Sequence, residues 1–77
     1  MPPVTDVQLR ELRHRYNAAY TAYQSCVIAL NEAAMSGVPL SHELLDKEAK
    51  ALRELNEARA KLLAAMAEMD QRERAAD

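Results

Sequence analysis

Hydrophobic residues recur along most of this chain at alternating intervals of three and four positions. This spacing is the heptad repeat, in which the first and fourth positions (a and d) form one apolar stripe along a helix. One stretch runs from Leu9 to Ala33 and a second from Leu45 to Met69, so the pattern predicts two long helices. The a and d positions are Leu9, Leu12, Tyr16, Ala19, Tyr23, Cys26, Leu30 and Ala33, then Leu45, Glu48, Leu52, Leu55, Arg59, Leu62, Met66 and Met69.

Capping residues mark where each helix begins and ends. Thr5 and Gln8 have the spacing of a capping box at the start of the first helix. Gly37 suits the left-handed backbone position that follows a helix, and Pro39 prevents the helix from continuing. Ser41 is the expected N-cap of the second helix. The two helices are therefore predicted to be separated by a short turn.

We expect an all-α fold, an antiparallel two-helix hairpin with helices at about 6–36 and 42–74. A connection as short as residues 37–40 leaves two helices side by side and antiparallel. The whole chain, 1–77, is predicted to be a single helical-hairpin domain, with flexible tails at 1–4 and 75–77.

The two repeats also predict which residues face each other along the seam, the line where the helices touch. In the register that pairs a with d positions, Leu9 faces Met69 near the termini and Ala33 faces Leu45 near the turn. Alanines recur beside the seam of the second helix, at Ala51, Ala58 and Ala65. Small side chains there predict a close approach of the two helix backbones.

The size of the chain indicates that a single hairpin needs a partner. Ordering about 70 residues at roughly 1.5 kcal/mol each costs on the order of 100 kcal/mol. Roughly 4,000 Å² of buried apolar area would offset that cost, more than two helices in contact along one seam are expected to bury. Cys26 is the only cysteine, which excludes an intramolecular disulfide. We therefore expect the hairpin to form a homodimer, as a four-helix bundle.

The middle of the first helix is uncharged from Tyr16 to Asn31. An isolated hairpin would expose Val27 and Ile28 there, so we interpret this region as an interface, with either a second copy or a different protein as its partner. Apolar residues tolerated on the surface of an alanine-rich helix are the alternative interpretation. The residues predicted for the interface are Tyr16, Tyr20, Tyr23, Val27 and Ile28.

Arg59 is the least expected residue in the repeat, because it occupies an a position. The predicted register places it opposite Ala19, which leaves room for its long stem beside the tyrosines. A polar residue in a seam commonly determines register or oligomeric state at a cost in stability. The alternative interpretation is a receptor for an anion or a carboxylate.

Local positive charge is concentrated at the start of the first helix, in Arg10, Arg13 and Arg15. These arginines are the candidate nucleic-acid contacts, although a solvated helix end is the simpler interpretation. A net charge of -2 argues against a general polyanion-binding protein.

The sequence favours a small non-enzymatic protein-protein interaction module, an adaptor or regulatory protein that acts as a helical-hairpin homodimer. An RNA-binding four-helix bundle that uses the arginine cluster is the alternative. The sequence predicts no catalytic, cofactor-binding or metal-binding residues, and it carries no motif that identifies a family. The first residues lack the features of a signal peptide and no segment is long and apolar enough to span a bilayer, so we expect a cytoplasmic protein without membrane contact.

Overall fold

The computed structural model describes residues 4–76, and these residues form two helices, α1 (Asp6–Met35) and α2 (His42–Ala76), that pack against each other. The hairpin is long and thin, with extents of 59 × 19 × 17 Å. The predicted all-α hairpin is confirmed. Helix α2 ends later than predicted, and residues 1–3 and 77 of the predicted tails lie outside the described part of the chain.

The capping box predicted at the start of α1 is present. The backbone N–H of Gln8 donates to Thr5 Oγ1 at 3.1 Å, and the backbone N–H of Thr5 donates to Gln8 Oε1 at 2.9 Å. Two backbone donors without helical partners are thereby satisfied, which fixes the first turn of the helix.

The end of α1 is a Schellman motif centred on Gly37. Its φ of 71° lies in the left-handed region. The N–H of Val38 donates to the carbonyl of Ala33 at 3.1 Å, and the N–H of Gly37 donates to the carbonyl of Ala34 at 3.3 Å. These two bonds satisfy carbonyl groups left open at the helix end and turn the chain back towards α1.

The start of α2 also follows the sequence. Ser41 Oγ accepts from the backbone N–H of Leu44 at 3.1 Å, which confirms Ser41 as the cap. Glu43 and Lys47 form an exposed ion pair one turn apart, with Oε1 and Nζ separated by 3.5 Å. Such a pair adds only a few tenths of a kcal/mol, so the cap and the packing against α1 do most to hold this helix end.

The two termini of the hairpin are joined through the backbone of Val4. Its N–H donates to Glu68 Oε1 at 3.3 Å, and its carbonyl accepts from the guanidinium of Arg72. Both partners belong to α2, so the segment before α1 is held against the end of the other helix.

On α1 the seam runs as the heptad repeat predicts. All eight predicted positions, from Leu9 to Ala33, are half-buried. Most of the helix surface between them is exposed, with Val27 and Ala29 as the half-buried exceptions.

On α2 the seam differs from the prediction at every a position. The residue one place earlier in the chain packs towards α1 instead. The buried residues of the described hairpin are Ala51, at 8% exposure, and Ala65, at 4%. Both lie one position before a predicted seam residue. The positions that pack towards α1 are Leu44, Glu48, Ala51, Leu55, Ala58, Leu62, Ala65 and Met69, whereas Leu45, Leu52, Arg59 and Met66 are exposed.

Helix α2 is thus rotated about its axis relative to the predicted packing, and Arg59 lies beside the seam rather than in it. Two physical effects favour the rotation. Alanines in the seam let the backbones approach closely, and the charge of Arg59 stays in water instead of losing its hydration between the helices. The rotation also leaves Leu52 and its heptad equivalents on the surface.

Candidate functional site: an apolar face on one side of the hairpin

A cleft of about 330 Å³ lies along the outer surface of α1, and we call it the tyrosine cleft. Its lining residues all lie within the uncharged middle of the helix. They are Tyr20, Tyr23, Gln24, Val27 and Ile28. Four of the five residues predicted for an interface therefore border one depression.

The fifth predicted residue, Tyr16, adjoins the same cleft through its ring. The rings of Tyr16 and Tyr20 are stacked, with centroids 6.3 Å apart and planes inclined by 20°. Stacking of this kind gives both rings a fixed orientation, and phenol groups combine an apolar ring with a polar end. The predicted interface residues are thus one continuous surface, and their contact with another molecule stays a prediction.

The side chain of Ile28 is 56% exposed in this surface, while Val27 beside it is half-buried. A β-branched apolar side chain with this exposure leaves most of its area in water. Isolated exposed apolar residues are common, but a group of them around a cleft is typical of a contact surface.

Helix α2 contributes a second row of exposed, mainly apolar side chains. The heptad pattern predicts these residues inside the seam. We call Leu45, Leu52, Arg59 and Met66 the α2 row. The three apolar members are 42%, 37% and 44% exposed, in chain order. They follow one another at seven-residue intervals with Arg59 among them, so the row forms a single line along the helix.

A second cleft, near the termini, shows how the two helices are placed around these surfaces. It is lined by Leu9 and Arg13 from α1 and by four residues of α2. The four are Met66, Met69, Asp70 and Glu73. Leu9 and Met69 border the same cleft, in agreement with the register predicted from the repeats.

This terminal cleft places the α2 row and the tyrosine cleft on the same side of the hairpin. A step of seven residues along a helix returns to nearly the same side of it. Such steps lead from Arg13 to Tyr20 and Val27 on α1, and from Met66 through Arg59 to the rest of the row on α2. We call the combined surface the two-helix face.

The other side of the hairpin has a different character. Glu68, which holds Val4, lies on that side of α2. Steps of seven residues from Glu68 lead to Lys61, Glu54 and Lys47, which are all charged and exposed. Helix α2 therefore gives the hairpin a mainly apolar side and a charged side, while the middle of α1 is uncharged all round.

Arg59 is the one charge in the α2 row. Its neighbours three and four positions away on the helix are Leu55, Asn56, Leu62 and Leu63, and none of them is acidic. The guanidinium consequently has no partner of opposite charge at the usual spacings on its own helix. Its predicted role in specificity stays a prediction, now for a residue on the surface.

The arginines predicted as nucleic-acid contacts are exposed, and they lie on more than one side of α1. Arg13 borders the terminal cleft together with Asp70 and Glu73. Arg10 and Arg15 are also exposed. Arg15 immediately precedes the seam residue Tyr16, so it lies on the flank of α1 opposite to Arg13. The positive charge that a nucleic-acid backbone requires is thus divided, and partly opposed by nearby carboxylates.

Residues 4–76 contain no group of three His, Cys, Asp or Glu side chains placed to bind a metal ion. Neither helix has an apolar stretch long enough to cross a lipid bilayer.

Comparison with known proteins adds no relationship. No protein family matches the sequence, and no curated protein or solved structure is similar enough to indicate common ancestry.

Proposed function

We propose that this protein is a small non-enzymatic protein-protein interaction module, an adaptor or regulatory protein that acts as a homodimer of helical hairpins forming a four-helix bundle. The observation that carries the proposal is the large exposed surface of the single hairpin. Its accessible area is 6183 Å², and only two of the described residues are buried.

The accessible area expected for a compact monomer of the same mass provides a comparison. A compact monomer of 8.6 kDa exposes about 4,700 Å², so the hairpin exposes about 1,500 Å² more than such a monomer. A compact chain of this length has a radius of gyration of about 11.5 Å, whereas the hairpin has one of 17.3 Å. Self-association reduces the exposed area without requiring a larger core in each chain.

The excess area agrees in size with what permanent homodimers bury. Interfaces of that class cover about 2,000–5,000 Å² in total, and twice the excess of one hairpin is about 3,000 Å². A bundle of four helices would also cover the uncharged middle of α1 while leaving the charged side of each hairpin in water.

Thermal unfolding followed by circular dichroism at several protein concentrations tests this proposal. Unfolding that is coupled to dissociation shifts to higher temperature as the protein concentration rises. We expect such a shift over a hundredfold range of concentration. A sharp transition at one fixed temperature would contradict the homodimer.

The RNA-binding alternative receives less support from the arrangement of charges. Asp70 and Glu73 border the same cleft as Arg13, and the chain as a whole carries a net charge of -2. Binding that depends on phosphate contacts weakens steeply as salt concentration rises. Titration of a labelled RNA at two salt concentrations separates this alternative from a protein-protein contact.

A further inference from the structure

We propose that the second copy of the chain docks on the two-helix face, so that the α2 row and the tyrosine cleft are covered together. This inference rests on the proposed homodimer and names the surface that forms it. It assigns an interface to helix α2, where the heptad pattern indicated only the interior of the hairpin.

The contrast between the two sides of the hairpin favours docking on the two-helix face. The two-helix face carries apolar side chains on both helices, including Tyr20, Val27 and Leu52. The opposite side carries Lys47, Glu54 and Lys61 on α2. Removing those charged groups from water would cost free energy that the apolar side does not require.

The two-helix face is also long and continuous. The α2 row extends over three heptad steps, or roughly 30 Å at 1.5 Å per residue. The tyrosine cleft lies alongside it on α1, within a helix of 30 residues. A surface of that length matches another hairpin of the same length better than it matches a small ligand.

The exposed area and the charge of the hairpin favour a second copy as the occupant of this face. The excess of about 1,500 Å² on each hairpin is close to the share that one subunit of a permanent homodimer buries. The chain's net charge of -2 produces only weak repulsion between two copies. At the terminal end both signs border the face, with Arg13 beside Asp70 and Glu73, so the face itself presents no single sign of charge.

Arg59 has a defined place in this arrangement. It would be covered by the partner copy, and the tyrosines of the same face provide phenol oxygens and aromatic rings for its guanidinium. A single cation within an apolar contact favours the one arrangement that gives it partners, which is how polar residues determine the register of helical bundles.

Two glutamate substitutions on α2 test the surface directly. Leu52→Glu places a charge in the α2 row, whereas Ala64→Glu places the same charge on an exposed alanine away from the row. Sedimentation equilibrium gives the dimer dissociation constant, and circular dichroism gives the helix content. We expect Leu52→Glu to raise the dissociation constant at least about a hundredfold, because its charge would be desolvated, and Ala64→Glu to leave it unchanged.

A chemical measurement covers the case in which Leu52→Glu does not fold. In a Cys26→Ala background, Leu52→Cys and Ala64→Cys each give a chain with one thiol. The cysteine side chain is small and uncharged, so it should disturb folding less than glutamate does. We expect the thiol at position 52 to react with a disulfide reagent at least about tenfold more slowly in the dimer than after dilution to monomer. The thiol at position 64 should react equally fast in both states.

The outcomes separate this inference from the homodimer itself. If the unmodified chain is a dimer but both glutamate variants dimerise equally well, or the thiol at position 52 is unprotected, a different surface forms the interface and the inference fails. A third variant, Val38→Glu at the exposed turn, would then identify docking through the turn if it dissociates the dimer. If the unmodified chain is monomeric, the proposed function fails as well.

Discussion

Ala51 and Leu52 are adjacent in the chain, yet the smaller side chain is buried at 8% exposure and the larger one remains 37% exposed. In a hairpin that buried as much apolar surface as possible, the leucine would occupy the seam. The alanine occupies it instead, and the helices gain a close approach at the expense of an apolar row left on the surface. The rotation of α2 thus leaves on the surface the apolar row on which the proposed homodimer interface depends.

The alanines in the seam predict a strong effect of added volume. Ala65→Leu should lower the free energy of unfolding by about 1–3 kcal/mol, because Ala65 is only 4% exposed and the seam around it leaves little space for three more carbon atoms. The adjacent exposed position provides the control, since Ala64→Leu should change stability by less than about 0.5 kcal/mol. Urea unfolding followed by circular dichroism measures both. Equal effects of the two substitutions would show that position 65 is not packed between the helices.

Gly37 predicts a cost that arises from the backbone alone. Its φ is +71°, and a Cβ at this position would lie within 4 Å of no atom outside the adjacent residues. Gly37→Ala should therefore lower the free energy of unfolding by about 1 kcal/mol through the left-handed conformation, without a steric clash. Chemical denaturation measures this difference. A loss of several kcal/mol would mean that the turn packs against something that the single hairpin does not contain.

Ile28 tests the α1 half of the proposed interface. Ile28→Glu should dissociate the homodimer, because a carboxylate would replace an apolar side chain beside the tyrosine cleft. Ala22→Glu is the matched control, on an exposed position of the same helix outside that cleft. Gel filtration with light scattering gives the mass of each variant. If Ile28→Glu leaves both the mass and the melting temperature unchanged, Ile28 is a solvent-exposed residue in the assembly.

Arg59 yields a prediction about specificity. Arg59→Leu should raise the melting temperature, since a leucine matches the other members of the α2 row, and it should also allow additional oligomeric states. Arg53→Leu, on an exposed position outside the row, should produce neither effect. Calorimetry combined with light scattering distinguishes the outcomes. A destabilised Arg59→Leu variant with a single oligomeric state would instead indicate that the guanidinium binds a carboxylate or another anion.

The local features of the hairpin follow from the sequence because short-range chemistry determines them. The Thr5 and Gln8 capping box, the left-handed Gly37 and the Ser41 cap each depend on a few neighbouring residues. The rotation of α2 is decided by which of two similar stripes along that helix packs against α1. One stripe passes through Ala51 and the other through Leu52. Hydrophobic spacing favours the leucine stripe, whereas close helix packing and the hydration of Arg59 favour the alanine stripe.

Of the candidate site, the sequence predicts the part on α1 but not the part on α2. The uncharged middle of α1 identifies the residues of the tyrosine cleft, because an absence of charge is visible in the sequence itself. The α2 row is not identified, since its leucines satisfy the heptad pattern of a buried seam. The recurring alanines one position earlier are the signal that distinguishes the two arrangements, as both stripes have the same seven-residue spacing.

The mass of the protein in solution tests the central claim most directly. Sedimentation equilibrium of the unmodified chain at micromolar concentration should give about twice the chain mass of 8.6 kDa, with dissociation only on strong dilution. A mass of one chain across the whole concentration range, together with a folded far-ultraviolet spectrum, would contradict the account.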